Sequence, residues 1–154
     1  MFGLFSKKES DLTHHSKDVK RWRKEHEALK KQAGKIAEDY AAGKIEKARE
    51  DLKKLETLAL QHLMSEDVRF YEMKKAVEAE HKDTPENHAV LAAMKEFDNS
   101  FRTVKPVLIE FFAHYKKPDV PLDKHFKADF ANIVDAVVNR IDFEEKTLYS
   151  MMDK

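Results

Sequence analysis

His62 and Glu66 stand one helical turn apart in a stripe whose other inward positions are Leu52, Leu55, Ala59, Phe70, Met73 and Val77. Arg140 and Glu144 repeat that one-turn spacing near the other end of the sequence, with Glu145 beside them. His26 falls between Trp22 and Leu29 in a third stripe, and His88 lies near the start of a fourth. A carboxylate taken out of water must be paired, protonated or bound to metal, because its desolvation is costly. Three histidines with two or three carboxylates form a nitrogen–oxygen donor set that suits iron, manganese or zinc. The competing reading is a hydrogen-bonded core network of the same side chains with no metal, in which Arg140 neutralises the acids.

Four helices are needed to bring these positions together. The spacing predicts helix A over about 17–41, with Trp22, His26, Leu29, Ala33, Ile36 and Tyr40 on one face. Gly43 marks the turn, and helix B follows over about 44–80, long enough to allow a bend near Ser65. Thr84 and Pro85 read as the N-cap and first residue of helix C, which reaches about 115 and should be kinked or split at Pro106. Its face runs His88, Leu91, Met94, Phe97, Phe101, Val104, Leu108, Phe111 and Tyr115. After the turn Lys116–Pro121, helix D spans about 122–152 with Phe126, Phe130, Ile133, Val137, Arg140, Glu144 and Leu148 inward. Four amphipathic stripes joined by short links predict an all-α fold, an antiparallel up-and-down four-helix bundle. Residues 16–154 form that domain, and residues 1–15 read as a flexible tail.

Composition narrows the function classes. The 154 residues are 42% hydrophobic and 38% charged, with three glycines and four prolines, which suits one domain of long helices. Lys plus Arg equals Asp plus Glu at 29 each, so no nucleic-acid footprint is expected. Cysteine is absent, which excludes disulfides, zinc–thiolate sites and Cys-held iron–sulfur clusters. Glycine-rich phosphate loops and a nucleophile in a recognisable setting are also missing. No stretch is long and apolar enough for stable membrane insertion; Met1–Phe5 (MFGLF) is too short for a signal peptide, and a cytoplasmic location follows by default.

The segments WRKEHEAL (22–29), HLMSEDVRFYEM (62–73), ENHAVLAAM (86–94) and RIDFEEKTLY (140–149) resemble the hemerythrin-like (HHE cation-binding) superfamily. The likeness spans about Trp22 to Tyr149. It implies an up-and-down bundle around a non-haem diiron centre, with a His on helix A, His-x3-Glu on helix B and His-x3-His on helix C. A His on helix D, followed four or five residues later by a carboxylate, completes the pattern. Carried over, His26, His62 and Glu66 match ligands, His88 matches the second helix C histidine, and Glu144 or Glu145 the helix D carboxylate. The first helix C histidine would fall at Thr84 and the helix D histidine at Arg140, neither of which is histidine. Guanidinium has no lone pair to give at neutral pH. The resemblance therefore implies a bacterial hemerythrin-like metal-binding or sensing domain with an incomplete site, holding one iron or none, and no diiron oxygen carrier.

A shorter likeness, in VKRWRKEH (19–26) and NRIDFEEKTLY (139–149), is to sigma-factor-binding regulators of the Rsd and AlgQ type. It implies the alternative, a non-enzymatic regulatory bundle that binds a protein partner. An enzyme is the less favoured reading, and the sequence leaves the oligomeric state open.

Overall fold

A computed structural model describes the backbone of residues 2–152 and the side chains of residues 17–100 and 102–151. Four long helices follow one another: α1 (Phe2–Ala41), α2 (Ile45–Glu80), α3 (Pro85–Tyr115) and α4 (Lys124–Phe143). From α4 the chain passes through a π-helical turn (Glu144–Leu148) into α5 (Tyr149–Met152). α1 packs on α2, α2 on α3, α3 on α4, and α5 returns against α1, which closes an all-α bundle. Among the described residues, no helix is long and apolar enough to cross a membrane.

Local chemistry explains the breaks. Gly43 adopts φ 76°, a left-handed conformation that turns α1 into α2 while Lys44 N–H donates to the Asp39 carbonyl at 2.8 Å. Thr84 caps α3 by accepting from Asn87 N–H at 3.2 Å, with Pro85 at the first helical position. Asp123 caps α4, accepting from His125 N–H at 2.9 Å and Phe126 N–H at 3.3 Å. Pro106 does not split α3, and α2 runs unbroken past Ser65. α1 begins about fifteen residues ahead of the expected start near 17; the expected tail, residues 1–15, lies outside the residues whose side chains are described.

Among the described residues, two apolar clusters fill the interior. One is built around Leu29, Ile36, Leu52, Leu55, Leu108, Phe112, Phe126 and Ile133. The other holds Val19, Trp22, Phe70, Met94, Phe97, Leu148 and Tyr149. Along α1, α2 and the last helix, the buried polar residues His26, His62, Glu66, Arg140 and Glu144 fall between members of the first cluster and members of the second. A polar layer thus crosses the bundle where the two cores meet.

Arg49 fixes the far end. It is 5% exposed and donates to the carbonyls of Tyr115, Lys117 and Val120 at 2.8, 2.6 and 2.8 Å, tying α2 to the α3–α4 turn. Charge-assisted bonds of this kind are worth more than neutral ones, and their loss strands buried carbonyls. Arg49→Ala is expected to cost about 3 kcal/mol of unfolding free energy, read from urea denaturation.

Candidate metal centre

Each helix delivers its side chain for a reason visible in its stripe. His26 sits one turn from Trp22 on α1 and is fully buried. His62 and Glu66, at i and i+4 on α2, are 4% and 0% exposed, so both face inward. Glu144 opens the π-helical turn, one turn beyond Arg140. In that turn the backbone bonds i to i+5: Tyr149 N–H donates to the Glu144 carbonyl. The wider turn brings Glu144, Leu148 and Tyr149 all to the interior, each at most 1% exposed. Such bulges recur at functional sites.

The donor atoms converge. His26 Nε2 lies 2.9 Å from His62 Nε2 and 3.1 Å from Glu144 Oε1, and His62 Nε2 lies 3.0 Å from Glu66 Oε1. His62 Nε2 and Glu144 Oε1 are 4.0 Å apart. One atom from each of these four residues falls within 4.8 Å of all the others, a group that could hold a metal ion. Donors bound at about 2.1 Å to one ion and at right angles to each other would stand roughly 3.0 Å apart, close to the three short separations. Glu66 Oε1 lacks a well-aligned hydrogen bond of its own although it is fully buried. Two imidazole nitrogens and two carboxylates match the chemistry of a transition-metal site.

Supporting groups orient these donors. Glu25 Oε1 accepts from His62 Nδ1–H at 2.7 Å, which turns Nε2 toward the centre. Tyr149 donates its hydroxyl to Glu66 Oε2 at 2.6 Å, and the Tyr149 hydroxyl oxygen stands 3.2 Å from His26 Nε2. The Tyr149 ring stacks on His26 with centroids 5.7 Å apart and 12° between planes. Arg140 Nε donates to Glu144 Oε2 at 3.0 Å, Arg140 Nη2 is 3.9 Å from Glu66 Oε1, and the guanidinium lies over the Phe97 ring at 4.5 Å. Trp22 Nε1–H donates to Ser65 at 3.1 Å and closes the layer on the side of the second core.

Burial resists charge on His62, but hydrogen bonds to Glu144, Glu66 and Glu25 outweigh it and hold its pKa at about 10. Burial first, then the charge of Glu144, pushes Glu66 up to about 8. Burial would raise Glu144 too, yet hydrogen bonds from His26 and His62 and the Arg140 charge hold it well below the usual carboxylate range. Tyr149 is raised by burial and by the neighbouring acids, so its hydroxyl keeps its proton. These directions favour, in the metal-free layer, an ionised Glu144 beside Arg140 and a charged His62, and push Glu66 toward its protonated form.

A pH dependence follows for the metal-free protein. The folded values of His62 and Glu66 exceed their ordinary 6.5 and 4.5, so the folded state binds these protons more tightly. Their stabilising contribution is complete below the ordinary values and is lost as pH climbs through about 8 for Glu66 and about 10 for His62. Stability of the metal-free chain should fall from pH 6.5 to 9 in urea titrations, and the slope should flatten in Glu66→Gln.

Not every expected residue reaches the centre. His26, His62, Glu66, Glu144 and Arg140 are together, whereas Glu145 stands at the rim, 3.8 Å from both His26 Nδ1 and Arg23. His88 is 70% exposed in the first turn of α3 and pairs with Asp83. Thr84 is the cap of that helix and not a vacant ligand position at the centre. The level of α3 that meets the polar layer is marked by Phe97, nine residues beyond His88, about 14 Å along the axis. α3 meets the layer with the Phe97 ring, and residues 97–104 contain no histidine. Tyr149 and Glu25 were not among the expected site residues; the signal for Tyr149 is its five-residue offset from Glu144, which only a π-helical turn makes inward-facing.

A search of the curated proteins and of the solved structures found no match to the chain. The family model of the hemerythrin HHE cation binding domain matches residues 17–152, the span that contains every residue of the polar layer. With that match over most of its length and a buried His–Glu group on facing helices, the chain belongs to the hemerythrin HHE cation-binding domain family.

Proposed function

We propose that this domain binds a single metal ion, with iron the preferred metal, at His26, His62, Glu66 and Glu144. The observation that supports one ion and not two is the composition of the layer. Four donors converge on one side, while the other side is taken by Arg140 lying over Phe97. A complete diiron set does not fit these residues, because α3 supplies no ligand and a guanidinium stands where the family pattern has a histidine. An iron bound here would supply a redox-active Lewis acid able to accept a small ligand. The chain's own groups do the rest: Glu25 orients His62, Tyr149 holds Glu66, and Arg140 competes with the ion for Glu144. Such a site fits a sensing or storage role in which metal and ion pair exchange. Metal-free protein titrated with Fe(II) without oxygen should take up the ion, and His62→Ala should take up none at the same concentrations. Equal uptake by His62→Ala would refute the assignment.

A second reading, a regulatory bundle that binds a protein partner, is favoured by one feature. Met64, Val68 and Tyr71 lie on one outward face of α2 and are 62%, 58% and 60% exposed. On that reading a defined partner binds the metal-free and metal-loaded chain alike and is lost in Val68→Glu. Unchanged partner affinity in Val68→Glu would remove it.

A further inference from the structure

α1 and α4 do not close on one another where their small residues face. Ala33, Gly34 and Ala37 of α1 stand across from Val134 and Val138 of α4, over a floor that includes Phe112. The space between is a cavity of about 320 Å³. Its lining is apolar apart from Lys30, which sits at the edge with its ammonium 3.7 Å from Glu27. Gly34 and Ala37 are themselves exposed, and a Cβ added to Gly34 would meet nothing within 4 Å, so the pocket opens to solvent at that wall.

The inner end of this cavity is shared. Leu29, Ala59, Leu108, Val137 and Ile141 also wall a narrow void of about 20 Å³ whose remaining lining includes His62, Arg140 and Glu144. The apolar pocket and the polar layer are thus separated by one layer of shared apolar side chains. A cavity of about 150 Å³ lined by aliphatic and aromatic side chains stays dry and binds benzene, so twice that volume suits two fused rings or a medium alkyl chain. A charged or strongly hydrogen-bonding ligand would find no partner on these walls.

We propose that the pocket between α1 and α4 is a binding site for an uncharged apolar small molecule, held one side-chain layer away from the buried His–Glu–Arg network. The binding itself needs no metal and goes beyond the proposed metal site. Leu29, Ala59, Leu108, Val137 and Ile141 stand between an occupant and Arg140 and Glu144.

The test uses the full metal-free chain and naphthalene as the probe, followed by amide chemical shifts in a titration. Wild type should show saturable one-to-one binding, with the largest shifts at residues 33–37 and 134–138. Gly34→Ala, whose methyl enters open space, should bind within a few-fold of wild type. Gly34→Phe should place a ring in the cavity, keep its helical circular dichroism, and lose at least tenfold in affinity. Val138→Phe should reproduce that loss from the opposite wall. The proposal is overturned if wild type shows no saturable shifts up to the solubility limit of naphthalene, or if both phenylalanine variants bind as wild type does. It is equally overturned if sedimentation shows wild type dimerising and Gly34→Phe monomeric, because a second copy then covers this face.

Discussion

Glu66→Ala should remove metal binding and also unfold the metal-free protein more easily, by about 3 kcal/mol. Three losses coincide. Tyr149 loses the acceptor 2.6 Å from its hydroxyl, His62 Nε2 loses a partner at 3.0 Å, and the space of a fully buried side chain is left behind. Unsatisfied buried donors and a new cavity each cost on the order of 1–3 kcal/mol, with partial relaxation between them. Glu66→Gln separates the two effects. Its amide oxygen can still accept from Tyr149, so most of the stability should return, while an amide is a much poorer metal ligand than a carboxylate. Thermal unfolding of metal-free proteins alongside metal analysis reads both. Full metal content in Glu66→Ala, or a change in stability under about 0.5 kcal/mol, would contradict this account of the layer.

Arg140→His should act in the opposite direction on metal. Arg140 holds Glu144 through a 3.0 Å bond and lies 3.9 Å from Glu66, so a cation entering the site must displace or repel a fixed positive charge. Removing that charge frees a carboxylate and adds an imidazole on the same helix face. Iron affinity should rise by at least tenfold, comparable to the effect of altering the surroundings of metal ligands. In the absence of metal the same substitution should destabilise the fold, because Glu144 is then buried with only His26 and His62 to balance it. Titration of Fe(II) into both proteins, with unfolding followed in parallel, tests the pair of effects. Unchanged affinity would show that Arg140 does not compete with the metal.

Much of this was legible in the residues. The stripes of α1 and α2 named His26, His62 and Glu66 because each polar residue replaced an apolar one in a regular pattern. Arg140 and Glu144 were readable for the same reason. The start of α3 was readable from Thr84 and Pro85, since capping is local chemistry. What failed was the start of α3. His88 lies nine residues, two and a half turns, before Phe97, so it points away from the buried face of Ala93, Met94 and Phe97, and a stripe gives no height against neighbouring helices either. Height is set by where the α2–α3 turn falls, and here it leaves His88 near the end of the bundle. Tyr149 was hidden by a change of period, because a pattern of three and four places Leu148 inward and cannot see the extra residue of a π-helical turn. The cavity was hidden because it depends on how far α1 and α4 stand apart.

The most direct measurement is the number of metal ions per chain at saturation, obtained by elemental analysis of the unaltered protein after loading with Fe(II) without oxygen and removal of unbound ion. With Arg140 over Phe97 in the place of a second set of ligands, the value should level at one. Saturation at two would mean that a complete diiron centre forms despite the guanidinium, and a value of zero would mean that the layer is a core ion network and nothing more.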